Sequence, residues 1–144
     1  MDASSKGIGV WFPGENVSHQ CPLSLSAPQD AIFFFVTLTV CLAILLTWFF
    51  RKMMWLIVHT YSTNTFDIFT SLAAKPAYNR ILMCSIHMLI EDEPDLQVFH
   101  IPRKDNLITD PLSWCKNMLA TILSPGLIIS TFIPLQDALG PSKK

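Results

Sequence analysis

The longest uncharged run in this sequence, from Ala31 to Phe50, constrains the fold more than any other feature. It reads AIFFFVTLTVCLAILLTWFF, and Arg51 and Lys52 follow it directly. A helix of this length is long enough to cross a bilayer, and the two basic residues would place the C-terminal side in the cytoplasm. The same run also suits a helix buried in the core of a globular domain. Hydropathy alone leaves both alternatives open.

The composition favours a single domain and excludes several classes of function. The chain has 144 residues, of which 51% are hydrophobic and 15% charged, and its net charge is −1. This length suits one domain, and the balanced charge provides no overall basic field for nucleic acid. The four cysteines and four histidines form no C-x-x-C or H-E-x-x-H motif. The sequence therefore predicts neither a zinc site nor a disulfide framework.

The hydrophobic pattern predicts strands mixed with helices, which is typical of an α/β fold. A turn at Pro13-Gly14 separates two β-like runs, 7–12 and 17–25, and predicts a hairpin. Residues 26–29 resemble a helix start with a capping box, directly before the uncharged run. Downstream, the pattern predicts a strand buried on both faces at 53–58, helices at 64–72 and 77–90, a strand at 96–101, a helix at 109–123 and a β-like segment at 127–133.

Several phrases of the sequence occur in the order found in one known family. Residues 1–11 resemble T-D-A-S-x-x-G-x-G-x-W, and residues 60–69 resemble S-D-N-T-N-T-x-D-I-F. Residues 100–114 resemble H-I-P-G-K-D-N-x-x-A-D-A-L-S-R, with Arg103 in place of the glycine, Thr109 and Pro111 in place of the two alanines and Trp114 in place of the arginine. These phrases are similar to the RNase H domain of fungal retrotransposon reverse transcriptases. Segments within 124–144 resemble sequence downstream of that domain, so the resemblance implies an RNase H-like domain at 1–123 and a C-terminal tail.

The family resemblance implies a mixed β-sheet of about five strands flanked by α-helices. It also implies an ancestral endonuclease activity on the RNA of RNA–DNA hybrids, in which four carboxylates hold two Mg²⁺ ions. Magnesium prefers oxygen ligands, and a metal pair can activate water and stabilise the leaving oxygen. In the family the first aspartate lies partway along the first strand. Here only Met1 precedes Asp2, so we expect an N-terminally truncated first strand.

The resemblance assigns half of the family's metal site to this chain. Asp2 matches the first acid and Asp110 the fourth, whereas Val36 and Tyr61 occupy the positions of the second and third. His100 matches the family's mobile histidine. Because valine and neutral tyrosine are poor magnesium ligands, we expect the metals not to bind. The resemblance thus indicates a degenerate domain, a pseudoenzyme for which Mg²⁺ and the RNA–DNA hybrid are an ancestral cofactor and partner.

Two functional interpretations remain at this stage. The first is the degenerate RNase H-like domain, with an intracellular location in the cytoplasm or nucleus. The second is a small single-pass membrane protein that spans the bilayer from Ala31 to Phe50. A glutamate at Val36 would shorten the uncharged run to the fourteen residues 37–50, too few to span comfortably. The substitution that removes an expected metal ligand therefore also creates the membrane-like run.

Overall fold

A computed structural model describes residues 1–23, 32–51, 55–93 and 95–132. This part of the chain forms a mixed α/β fold, as the hydrophobic pattern predicts. Its strands are β1 (Asp2–Ala3), β2 (Gly7–Phe12), β3 (Val17–Pro22), β4 (Trp55–Thr60), β5 (Asp95–His100) and β6 (Ile128–Thr131). Its α-helices are α1 (Ile32–Arg51), α2 (Thr63–Ser71), α3 (Pro76–Asp92), α4 (Thr109–Ser113) and α5 (Asn117–Leu123). The predicted helix start at 26–29 lies outside the described residues.

The strands form two sheets instead of the single five-stranded sheet that the resemblance implies. One is a mixed sheet with the order β1-β2-β3-β6, and the other is the parallel pair β4-β5. Strand β1 has only two residues, which pair antiparallel with two residues of β2. Towards β4, the amino group of Met1 donates one hydrogen bond to the His59 carbonyl, at 3.4 Å. Because β1 is so short, it does not join the two sheets through a continuous ladder.

The predicted hairpin is confirmed, and a later strand extends its sheet. Strands β2 and β3 pair antiparallel along their whole length, on either side of the turn that contains Pro13 and Gly14. Strand β6 then pairs parallel with β3, from Val17 opposite Ile128 onwards. This strand lies within the range that the resemblance implies is a C-terminal tail. The four-stranded sheet therefore contains strands from both ends of the described chain.

Helix α1 contains most of the uncharged run and forms the centre of the core. Every side chain from Val36 to Ile44 is buried, because α1 packs against β1, β2 and β4 and also against α2 and α3. A helix that is apolar all round requires such apolar surroundings. The hydroxyls of Thr37, Thr39 and Thr47 donate to the carbonyls four residues earlier, so these buried polar groups are satisfied.

The described part of the chain contains no helix that is both long and apolar enough to cross a membrane. The span predicted from Ala31 to Phe50 corresponds to α1, except for Ala31, which lies outside the described residues.

The prediction that the strand at 53–58 is buried on both faces is wrong. In β4 the exposure alternates: Leu56 and Val58 are buried, whereas the side chains of Trp55 and Ile57 are 69% and 58% exposed. This is the pattern of a strand with one covered face. Helix α1 packs against β4, and the opposite face of the strand remains open in the described structure.

The predicted helices at 64–72 and 77–90 correspond to α2 and α3, and the predicted strand at 96–101 corresponds to β5. The single helix predicted at 109–123 is instead two helices, because the chain turns after α4. Cys115 has a positive φ of 57°, a left-handed conformation that interrupts a right-handed helix. The amide of Lys116 then donates to the Pro111 carbonyl at 2.8 Å, which closes the turn.

Helix α4 lies unusually close to β2, and this contact positions one end of the candidate site. A Cβ atom added at Gly9 would lie 2.7 Å from the Cβ of Leu112, closer than packed carbon atoms approach. Leu112 is fully buried in a small apolar cluster with Ile108, Ala120 and Leu127. The absence of a side chain at Gly9 therefore lets α4 rest directly on the sheet beside β1.

Candidate functional site

Three of the four positions that match family acids come together in the structure. Asp2 lies on β1, Tyr61 directly follows β4, and Asp110 lies in the first turn of α4. The Tyr61 side chain hydrogen-bonds the carboxyl group of Asp2, and Asp110 is close enough to interact electrostatically with both. His100, at the end of β5, places its Nε2 3.0 Å from the Tyr61 carbonyl oxygen. We call these four residues the Asp2 cluster.

Asp2 is the buried member of the Asp2 cluster, with 1% of its surface exposed. Its Oδ1 accepts a hydrogen bond from the Ala3 amide at 2.7 Å, and its Oδ2 accepts one from Ser113 Oγ at 3.5 Å. Burial raises the pKa of this carboxyl to about 6, although the hydrogen bonds from Tyr61 and Ala3 oppose the increase. Asp2 therefore holds a proton more readily than an ordinary aspartate does.

Tyr61 supplies a neutral hydroxyl where the family has a carboxylate. Burial is the main cause that raises the pKa of its phenol, and the negative charge of Asp2 raises it further. The phenol therefore remains protonated and acts as a hydrogen-bond donor towards Asp2. On the outer side, the guanidinium carbon of Arg103 lies 5.6 Å from the centre of the tyrosine ring, within the range of a cation–π contact.

Asp110 forms an ion pair with Arg103 of the same chain. Its Oδ1 lies 3.6 Å from Nη2 of Arg103 and has no hydrogen-bond partner among the described residues. Both side chains are partly exposed, so the pair adds little stability. Arg103 is nevertheless the residue that sequence reasoning missed as part of this site. The only sequence signal for its role was that Arg103 occupies the position where the family pattern has a glycine.

His100 lies at the exposed edge of the Asp2 cluster. Its hydrogen bond to the Tyr61 backbone and an edge contact between its ring and that of Phe66, with centroids 6.4 Å apart, fix the imidazole beside the end of β4. The structure thus places His100 next to one member of the site. The catalytic role implied by the resemblance stays a prediction.

Val36, the fourth matched position, belongs to the hydrophobic core. Its side chain is 1% exposed and lies in an apolar cluster with Ala3, Ile8 and Leu38. The next residue, Thr37, makes a buried hydroxyl contact of 3.1 Å with Thr65. A carboxylate at Val36 would have to lose its hydration in these surroundings, at a considerable cost.

The residues present do not fit a pair of magnesium ions. The described part of the chain contains no group of three or more His, Cys, Asp or Glu side chains that could hold a metal. Of the four positions that match family acids, only Asp2 and Asp110 carry a carboxylate. Asp110 already faces the guanidinium of Arg103. The cluster is better described as a hydrogen-bonded polar group between β1, β4 and α4.

Comparisons with protein-family models, with curated proteins and with solved structures gave no match to this chain.

Proposed function

We propose that this chain is a degenerate RNase H-like domain, derived from a fungal retrotransposon reverse transcriptase, that has lost its ancestral catalysis. The observation that carries the proposal is the convergence of Asp2, Tyr61 and Asp110. These positions are far apart in the sequence, and each matches an acid position of the family. Their proximity, on β1, after β4 and at the start of α4, is what a shared ancestral site would produce.

The proposed loss of catalysis follows from the chemistry of the side chains. Two divalent cations held a few ångströms apart require several anionic oxygens as ligands. Here one matched position is an apolar side chain in the core, and another is a phenol that remains protonated. The buried carboxyl of Asp2 ionises only as the pH rises through its raised pKa of about 6, because burial favours its neutral form.

The alternative of a single-pass membrane protein has less support. The described part of the segment from Ala31 to Phe50 packs its side chains against both the strands and α3 of the same chain. A membrane span would have to give up these contacts and expose the same side chains to lipid.

The test is a set of variants assayed for Mg²⁺ binding and for cleavage of a labelled RNA–DNA hybrid. We expect no Mg²⁺-dependent turnover by the wild-type chain. Tyr61→Asp adds a third carboxylate beside Asp2 and Asp110 without altering the core, and we expect it to increase Mg²⁺ affinity. Tyr61→Phe is the matched control, because it removes the hydroxyl and adds no charge. The double variant with Val36→Glu supplies all four acids, and we expect it to recover cleavage if it folds.

Two outcomes would contradict the proposal. Wild-type turnover that Asp110→Asn abolishes would show that catalysis was never lost. If Tyr61→Asp folds, as judged by circular dichroism, and its Mg²⁺ affinity equals that of Tyr61→Phe, the Asp2 cluster is not a remnant metal site.

A further inference from the structure

Two cysteines from different helices meet in the core, where α1 packs against α3. Cys41 on α1 has 3% of its surface exposed, and Cys84 on α3 packs against the apolar cluster that contains it. The thiol of Cys41 hydrogen-bonds the sulfur of Cys84 and also lies within hydrogen-bonding reach of Ser85. Because Cys41 reaches two consecutive residues of α3, it lies directly against this turn of the helix. We call Cys41 and Cys84 the thiol pair.

The packing of the thiol pair suits the formation of a disulfide. Such a bond requires two side chains that already face each other at short range, because a densely packed core resists movement of the backbone. The contact between Cys41 and Cys84 meets this requirement. The neighbouring side chain of Ser85 is small and fully buried, so it adds little bulk between the two helices.

The two members of the thiol pair differ in access and in acidity. Cys84 is only half-buried, whereas Cys41 is buried. The hydrogen bond from Cys41 lowers the pKa of Cys84 to about 6, burial opposes this effect, and the charges of His87 and Arg80 on α3 lower the pKa further. The same hydrogen bond, together with burial, raises the pKa of the Cys41 thiol. Because the thiolate is the nucleophile, Cys84 is the member that reacts first with a soluble oxidant.

We propose that Cys84 is a peroxide-reactive thiol and that Cys41 resolves its oxidation product, so that the thiol pair forms a reversible disulfide between α1 and α3. A half-exposed thiol beside a resolving cysteine is the arrangement that favours such chemistry. The proposal concerns the side of the molecule where α1 meets α3, and it does not depend on the ancestry proposed above.

The reaction has two steps, and hydrogen peroxide is the oxidant. In the first, the sulfur of Cys84 attacks one peroxide oxygen, the O–O bond breaks, and hydroxide leaves and is protonated to water, which gives the sulfenic acid of Cys84. In the second, the thiol of Cys41 gives up its proton and its sulfur attacks the sulfur of Cys84. The S–S bond forms, the S–O bond breaks, and the hydroxide leaves with that proton as a second water. The two sulfurs together lose two electrons, and the peroxide gains them.

The test treats the reduced full chain with a small excess of hydrogen peroxide at neutral pH and stops the reaction with catalase. Intact-mass spectrometry and a count of thiols with Ellman's reagent after unfolding then measure the product. We expect the mass to fall by two hydrogen atoms and two of the four thiols to be lost, and dithiothreitol should restore both. Further oxidation to sulfinic acid would instead add oxygen and would not be reversed by a thiol, so the mass distinguishes the two products.

Three variants assign the bond to the thiol pair. Cys84→Ala should show no loss of two hydrogens. In Cys41→Ala the sulfenic acid of Cys84 has no resolving thiol, and we expect dimedone to trap it as an adduct that peptide mapping locates at Cys84. Cys115→Ala is the matched control, because it removes an exposed thiol that lies near Cys21 and outside the thiol pair; it should lose two hydrogens as the wild type does.

Circular dichroism shows whether each variant is folded. Cys84→Ala alters only a half-buried side chain, so its comparison with the wild type decides the question even if Cys41→Ala does not fold.

Four results would overturn the inference. The first is a wild-type chain that does not lose two hydrogens, and the second is a loss that persists in Cys84→Ala. The third is a loss that disappears in Cys115→Ala, because the bond would then belong to Cys21 and Cys115. The fourth is a folded Cys41→Ala variant that forms no dimedone adduct at Cys84.

Discussion

Replacing Asp2 with asparagine is expected to stabilise the domain at pH 8 and to have only a small effect on its stability at pH 4. In the folded chain, burial raises the pKa of Asp2 from 3.8 to about 6. The folded state therefore binds this proton more tightly than the unfolded state does. The resulting stabilisation is fully present below pH 3.8 and is lost as the pH rises through about 6.

The magnitude follows from the difference between the two pKa values. A difference of about 2 units, at about 1.4 kcal/mol per unit, corresponds to about 3 kcal/mol of unfolding free energy. Asparagine has no charge to desolvate at any pH, and its amide oxygen can still accept the Ala3 N–H bond that Asp2 accepts at 2.7 Å. The variant should therefore exceed the wild type by about 3 kcal/mol at pH 8.

Urea denaturation, followed by circular dichroism from pH 4 to pH 8 at constant ionic strength, measures this difference. Asp95→Asn is the matched control, because that carboxyl is exposed at the start of β5, and its difference from the wild type should stay flat. An Asp2→Asn effect that is constant with pH, or largest at pH 4, would refute the assignment of Asp2 as a buried, proton-binding carboxyl.

Three further predictions concern packing and backbone geometry, and urea denaturation measures each of them. Gly9→Ala should lower the unfolding free energy by about 1–3 kcal/mol, because the added carbon overpacks against α4. Gly14→Ala is the control and should have little effect, since nothing lies within 4 Å of its added carbon. Equal effects of the two substitutions would contradict the close contact between Gly9 and α4. Leu38→Ala should cost about 2–5 kcal/mol, because this side chain is fully buried in α1; a loss below that range would place it outside the core. Leu72→Gly should raise the unfolding free energy by about 1 kcal/mol, because Leu72 has a left-handed φ of 54° that glycine adopts without strain. Ala73→Gly is the control and should not stabilise the domain. A lower unfolding free energy for both variants would contradict the left-handed end of α2.

Local sequence signals predicted the elements of this fold well, and tertiary packing decided the rest. Pro13-Gly14 between two β-like runs is sufficient to predict the hairpin. The run MMWLIV has no period, so it cannot show which face of β4 is covered. That depends on α1 lying on one side of the strand and on the absence, in the described structure, of an element over Trp55 and Ile57. The turn at Cys115 could not be predicted from the sequence either, because cysteine has no preference for a left-handed conformation.

In the candidate site, too, the sequence predicted some features and tertiary packing determined the others. Asp2, Tyr61 and Asp110 were found through the family resemblance, and the structure places them close enough to interact electrostatically. Their chemical states could not be predicted, because the raised pKa of Asp2 depends on burial by elements distant in the sequence. The approach of Arg103 to Asp110 likewise depends on the path of the chain between β5 and α4.

The pairing of β3 with β6 also has a kinetic consequence. Ser18 donates to the Ile128 carbonyl across 110 positions of the sequence, so the mixed sheet is completed only after a very long loop has closed. Closure of this kind slows folding. Helix α1 lies within that loop, and its apolar side chains stay uncovered until the layers assemble around it. Refolding should therefore be slow, and its yield should fall as protein concentration rises, since uncovered apolar segments aggregate in competition with folding.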